Sequence, residues 1–368
     1  VALKVLHVAQ SSEYGLGRYL ADLLADQAAA GWQVALAGDP ASTLRPHLDG
    51  LGIEWVDWTA SRDPGPSVAR EARALARLVR GVDPALVHLH SSKAGLAGRL
   101  ALRRRRPTIF QPHAWSFFAV EGAKRGAAVL WERMGARWAD VVVCGSEGER
   151  SEGAAVGVKP RLWEVVPNAV DVDRFAPADR WAARVAVGVD DDRPLVVCGA
   201  RLAIGQKGQD VLLSAWPAVA AAVPDARLVF VGDGPDRAAL ERDAPPSVTF
   251  AGASNDMPNW FRAADLVVQP SRYETLSLSV LEALACERPV VATDAVGMRE
   301  AVGDAGAIVP LEDAVALAAA VIDRLRDPTL AADEGRRGRA RVVARYSRAA
   351  WREAMSRITI ETAARGPR

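Results

Sequence analysis

The stretch DLVVQPSRYETLSLSVLEALAC, residues 265–286, decides how this chain folds. Its apolar run is of strand length and breaks at Pro270 and Ser271. Apolar residues then return at Leu278, Leu281, Leu284 and Ala285, the spacing of a helix face. Strand, sharp exit and helix make one half of a parallel crossover unit. The helix is expected to begin at Ser277 or Leu278, which puts Glu274 in the strand-to-helix loop and Glu282 in the first or second helical turn.

The same rhythm runs outward in both directions. PLVVCGA, ARLVFVG, SVTFAG, RPVVAT and AGAIVP accompany it in the second half. LKVLHVA, QVALAG, IEWV, ALVHLH, TIFQ and DVVVCG fill the first. Near-continuous apolar runs are strands buried on both faces, so each half is predicted to form its own doubly wound α/β sheet. A chain of 368 residues also exceeds what one core serves, and two domains imply a cleft. The boundary falls in LWEVVPNAVDVDRFAP, residues 162–177, between a first domain over 1–168 and a second domain over 169–345. A helical run from Ala331 to Arg345, a cap at Ser347, a last helix to about Thr359 and a frayed tail are expected to follow.

Composition excludes several functions. Half the residues are hydrophobic, and the net charge of +1 opposes a nucleic-acid binder. Cys144, Cys198 and Cys286 lie far apart in apolar runs, so neither a zinc site nor a redox pair is indicated. There is no apolar span of membrane length, and the opening VALKVLHVA reads as a strand and not a leader, so a cytoplasmic protein is expected.

Ligands of open parallel sheets bind beyond the carboxyl ends of the strands. After LVVCGA come Arg201 and, in GARLAIGQKGQD, Lys207 with Gly208. A guanidinium can chelate two phosphate oxygens while an ammonium acts as a compact charge, so the pair suits a diphosphate. Lys207 is one of only five lysines among 46 basic residues, which sets it apart. The N-terminus of the helix near Leu278 would add to this anion site. Glu274 and Glu282 can accept hydrogen bonds from vicinal hydroxyls, one from a ribose and the other from a transferred sugar.

At these residues the chain resembles the retaining glycosyltransferases of family 4, which have the two-domain GT-B fold. The resemblance covers nearly the whole chain and is carried by the two glutamates, Arg201 with Lys207, VFVGDGPDRAAL (229–240) and VVPNAVDVDRF (165–175). It implies that Glu282 binds the ribose and that Glu274, with Thr275, Leu276 and Ser277, contacts the donor sugar. Arg201, Lys207 and Leu278 would hold the diphosphate, and Gly252, Ala253 and Met257, in FAGASNDM, would line the nucleobase pocket. The last helix would return to the first domain. Thr275 and Ala169 stand where the family often has glycine; Thr275 is compatible if its φ is negative.

In the first half, SSEYGLGRYLADLL (11–24) carries Gly15 and Gly17 but has Leu20 at the third glycine position of a dinucleotide fingerprint. A mobile loop reaching donor phosphate fits better, and the resemblance places it across the cleft. His113, in IFQPHAWSFF, lies where the family carries a histidine facing the reacting sugar. His7 and His88 read as packed strand residues and His47 as a loop residue. His90 and Ser91 open HSSKAG at a strand exit and are assigned to the border of the acceptor pocket, with Ser91 or Ser92 as a cap. The Asp171–Asp173 triplet imitates a metal motif of another architecture, but its place in the hinge makes it a false match. No metal or other cofactor is expected, since Arg201, Lys207 and a helix terminus already serve the leaving group. Basic clusters at Arg103–Arg106 and at Lys124 and Arg125 flank Trp131 and Trp138, a pattern shared by a peripheral membrane contact and an ordinary charged face.

The expected reaction moves a sugar from a UDP- or GDP-type donor to a hydroxyl of a glycan, a lipid-linked sugar or a small molecule. Same-face attack through an oxocarbenium-like state would retain configuration, with leaving phosphate taking the proton. A nucleotide-sugar epimerase of the same fold and a non-catalytic nucleotide-sugar binder are the alternatives. A dinucleotide oxidoreductase fails on its incomplete glycine fingerprints. Base, sugar, acceptor and oligomeric state are not readable.

Overall fold

A computed structural model describes residues 2–10, 14–61, 64–118 and 120–366. The chain forms two compact units, residues 1–167 with 351–368, and residues 168–350. The first holds a seven-stranded sheet of β1 (Lys4–Ala9), β2 (Gln33–Gly38), β3 (Glu54–Asp57), β4 (Leu86–His90), β5 (Thr108–Gln111), β6 (Val141–Cys144) and β7 (Trp163–Val165). The second holds six: β8 (Leu195–Gly199), β9 (Arg227–Val231), β10 (Val248–Gly252), β11 (Leu266–Gln269), β12 (Val290–Thr293) and β13 (Gly306–Val309). All pairings are parallel, in the orders β3-β2-β1-β4-β5-β6-β7 and β10-β9-β8-β11-β12-β13. In each unit the direction of strand addition reverses once, between β1 and β4 and between β8 and β11, and such a switch point opens a crevice at the strand ends.

Alternation along the strands feeds two cores per sheet. Leu195, Val197, Val229 and Val267 pack on one side of the second sheet, and Val196, Cys198, Leu228, Phe230 and Val268 on the other. In the first sheet Leu6, Val8, Val87, Leu89 and Phe110 form one aliphatic and aromatic face. The opposite face carries His7, His88 and His90, all buried, with His7 opposite His88 and Ala9 opposite His90 in register.

Every apolar run singled out in the sequence is a strand. Two expectations need correction. The helix after β1 spans Tyr14–Ala29, so Gly15 and Gly17 lie in its first turn and not in a mobile loop. Buried Tyr19, Leu20, Leu23 and Leu24 recur at helical spacing and draw the helix back through the glycines; residues 11–13 of that motif lie outside the described residues. His47 sits in a 3-10 turn, Arg45–Leu48. Near the end, the helix Pro328–Arg345 starts earlier than expected, because Asp327 accepts hydrogen bonds from Thr329 and Leu330 N–H and Pro328 fills the first helical position. The last helix is Arg348–Ala363. Ser347 directly precedes it and bridges to Val170.

Candidate functional site

The exits of β8 and β11 bring the second-unit residues together. After β8 the chain passes Arg201, makes a single helical turn over Ile204–Lys207 and reverses at Gly208, whose φ is 63°. A Cβ there would lie 2.1 Å from the Pro270 carbonyl oxygen, so only glycine lets this turn close onto the β11 exit. Gln206 joins the two exits. Its carbonyl accepts from Arg272 N–H at 2.9 Å, and its side-chain oxygen accepts from Arg201 Nη2 at 3.4 Å. Lys207 Nζ then meets Glu274 Oε1 at 2.5 Å, and the same oxygen accepts from Ser271 Oγ at 3.0 Å. Ser271 in turn accepts from Gln269 Nε2 at 2.8 Å. Arg272 anchors the exit from below, donating to both oxygens of Asp210 and of Glu312.

Past Glu274 the chain bends at Thr275 and Leu276 and leads into the helix Leu278–Ala285, with Ser277, extended, at its N-cap position. Thr275 is absent from the residues of positive φ, as its position required. The Leu276 carbonyl accepts from Asn168 Nδ2 at 2.8 Å. Glu282 is buried in the second turn, where the sequence put it. Gly297, which the sequence reading missed, supports this segment: its φ is 75° and a Cβ would come within 1.6 Å of the Thr275 carbonyl oxygen. A glycine between a strand exit and a short helix was the available signal. Gly252 ends β10, its carbonyl accepting from Gly232 N–H at 2.8 Å. Met257 opens the next helix and its methyl lies against Gly199, 2.8 Å from where a Cβ would be. Ala253 is exposed beside them. Asp171 is a turn cap, accepting from Asp173 and Arg174 N–H.

The remaining predicted residues belong to the first unit. His113 and Ala114 follow β5 with φ of 50° and 124°, two successive non-glycine residues in a region that costs energy to occupy. His113 Nε2 lies 3.1 Å from His90 Nδ1, His90 Nε2 lies 3.0 Å from His7 Nδ1, and His7 Nε2 lies 2.7 Å from Gln27 Oε1. Burial holds His113 down to about 3, and burial, against the Gln27 hydrogen bond, holds His7 at about 4. His88 and His90 are lowered well below the ordinary value by burial and by neighbouring histidines. His90, assigned to the border of the acceptor pocket, has a wholly buried side chain. Ser91 and Ser92 do not cap the helix Ser91–Leu102, whose N-cap is His90; Ser91 takes a φ of 67° and Ser92 donates to the Ala114 carbonyl.

Among the described residues, His7, His88 and His90 form one group whose ligand atoms lie within 4.8 Å of one another. His7 and His90 are 19° from parallel and joined nitrogen to nitrogen, and His88 stacks on His90 with centroids 4.0 Å apart. Trp131 and Trp138 pack on each other, and the buried Arg99 guanidinium lies between Phe110 and Trp131. Lys124, Arg125, Leu130 and Met134 of the helix Gly122–Gly135 are exposed. No helix among the described residues is long and apolar enough to cross a membrane.

Residues 193–327 match the family described as glycosyl transferases group 1, and residues 14–169 match the glycosyl transferase 4-like domain. The GDP-mannose-dependent monoacylated alpha-(1-6)-phosphatidylinositol monomannoside mannosyltransferase of Corynebacterium glutamicum is 32% identical over 357 residues, 90% of this chain and 91% of that protein. Sucrose-phosphate synthase from Thermosynechococcus elongatus superposes with a TM-score of 0.85 at 23% identity, over 99% of this chain and 100% of the other. HepE of Anabaena, solved with UDP and glucose, gives 0.82 at 21% identity over 97% and 99%. These two likenesses show the GT-B fold. The relative, the two matched domains and the paired switch-point sheets place this chain in the group 1, family 4-type glycosyltransferases.

Proposed function

We propose that the chain transfers mannose from GDP-mannose to an acceptor hydroxyl with retention of configuration and without a metal. The observation that carries this reading is the coupling of Lys207 to Glu274 at the switch point, 2.5 Å apart and linked through Gln206 to Arg201. Arriving diphosphate oxygens take over Lys207, and Glu274 is released to accept from sugar hydroxyls. Arg201, Lys207 and the N–H groups opening the helix Leu278–Ala285 then stabilise the departing diphosphate. Glu282 accepts from the ribose, and Gly252, Ala253 and Met257 border the base. Leaving phosphate takes the proton of the attacking hydroxyl on the same face, while Gly15, Gly17 and His113 serve the donor from the first unit. The mannosyl donor is taken from the relative 32% identical over most of the chain. An acceptor carried on lipid suits the exposed Lys124, Arg125, Leu130 and Met134, and co-sedimentation with anionic phospholipid vesicles tests that part.

A thermal-shift panel of GDP, UDP, ADP and their sugars comes first. A ligand at about a hundred times its Kd adds about 2.7 kcal/mol of stability, and GDP and GDP-mannose are expected to give the largest rise. GDP release should then require acceptor, survive EDTA and yield a product of the donor's anomeric configuration by NMR. Epimerised donor sugar without acceptor, or full transfer by Lys207→Ala, would overturn the proposal.

A further inference from the structure

We infer that Gln27 is a positioning residue: through His7 and His90 it sets the tautomer of His113, leaving a bare lone pair on His113 Nδ1. Gln27 lies buried on the helix Tyr14–Ala29, and its side-chain oxygen is 2.7 Å from His7 Nε2. A carboxamide oxygen only accepts, so His7 Nε2 must carry the proton. A neutral imidazole has one N–H, so His7 Nδ1 accepts, and His90 Nε2, 3.0 Å away, donates. His90 Nδ1 accepts in turn, and His113 Nε2, 3.1 Å away, donates. That leaves Nδ1 of His113 without a proton.

The neutrality this requires is supported by burial, which lowers the basicity of all the histidines concerned. The run is held from the sides as well. His88 stacks on His90, and Tyr19 stands edge-on to His113 with centroids 4.8 Å apart while its hydroxyl donates to Gln111. Turning the Gln27 amide over would present its NH2 group to His7 and reverse every bond, ending in a His113 that donates from Nδ1. One amide, two rings away, therefore decides whether His113 offers a lone pair or a proton. In the first state His113 Nδ1 accepts from a hydroxyl and has no proton to donate. This consequence for catalysis rests on the proposed contact of His113 with the donor; the tautomer does not.

The chain contains five histidines, so imidazole nitrogen-15 spectra of the histidine-labelled full-length protein resolve the run, with His47 as surface reference. In the wild type His113 is expected in the Nε2–H form. Gln27→Glu keeps a pure acceptor against His7 and should leave that form in place. Gln27→Leu removes the bias, and the Nε2–H population of His113 should fall to about half, as for two states of equal energy. An Nδ1–H His113 in the wild type, or unchanged populations in Gln27→Leu, overturns the inference. If Gln27→Leu does not fold, the wild type and Gln27→Glu decide: Nε2–H in both supports it and Nδ1–H in either overturns it. Zinc added to the wild type should leave the signals of His7, His88 and His90 in place, and their movement would overturn the run. Tautomers that respond while GDP release does not would uphold Gln27 as the setter and sink the donor contact of His113.

Discussion

Replacing Gly297 by alanine should cripple transfer without unfolding the protein. Gly297 holds φ 75° at the N-cap of the helix Met298–Val302, and a non-glycine residue in this region costs about 1–2 kcal/mol. The larger effect is steric. The new Cβ would stand 1.6 Å from the Thr275 carbonyl oxygen, where real Cβ contacts do not fall below 3.0 Å, so Thr275 or Gly297 must move by about 1.4 Å. Thr275 and Leu276 form the segment between Glu274 and the helix N-terminus proposed to meet the donor sugar. A misplacement of about 1 Å in such a segment can cost about a hundredfold in rate. The expectation is therefore a kcat/KM lowered about a hundredfold in the GDP-release assay. The backbone strain alone lowers Tm by about 2–8 °C for a domain of this size. Gly297→Asn separates the causes: asparagine tolerates positive φ but brings the same Cβ, so it should be as inactive as alanine. Wild-type kcat/KM in Gly297→Ala would refute the reasoning, and recovery in Gly297→Asn would assign the loss to φ and not to the clash.

Lys207→Ala removes the ammonium that Glu274 holds at 2.5 Å, and GDP release at saturating donor should fall by about a hundredfold or more. Acid should destabilise the first unit. His7 is depressed to about 4 and His113 to about 3 against an ordinary 6.5, so their contribution is complete above pH 6.5 and is lost as the pH falls toward the folded values. His7 alone accounts for about 2 kcal/mol at pH 5. Burial raises Glu149 and Glu152 to about 7 and acts in the opposite sense, but two carboxyls face four lowered histidines. Urea midpoints at pH 7.5 and pH 5 should therefore drop, and equal midpoints would contradict the burial of the histidines. Arg99 and Glu132 form a buried pair at 2.8 Å, so Arg99→Met alone should cost about 3–5 kcal/mol in urea unfolding. The double variant Arg99→Met with Glu132→Leu should recover most of that loss.

Strand positions were legible because parallel strands buried on both faces leave unbroken apolar runs, and every strand but the short, half-buried edge strand β7 is one of those runs. The positions of Arg201, Lys207 and Glu274 were legible because they follow two such runs, and that of Glu282 because helical spacing resumes after the second. What could not be read was where a local pattern gives way to packing. Gly15 and Gly17 look like a loop, yet the buried stripe of Tyr19, Leu20 and Leu24 extends the helix through them. Gly297 acts on Thr275 across 22 positions of sequence, a relation that exists only once β11 and β12 lie side by side. The run from Gln27 to His113 is assembled from a helix, two strands and a loop, and no spacing in the chain announces it.

The discontinuity of the first unit bears on synthesis. Residues 351–368 belong with residues 1–167, and Trp351 packs edge-on against Tyr19 on the sheet face that carries the histidines. The ribosome must therefore make all of residues 168–350 before that face can be covered. At about 5–20 residues per second the delay is roughly 10–40 s. The half of the protein translated first is thus the last to be finished, its Tyr19 waiting for Trp351 while the whole of the second unit is made.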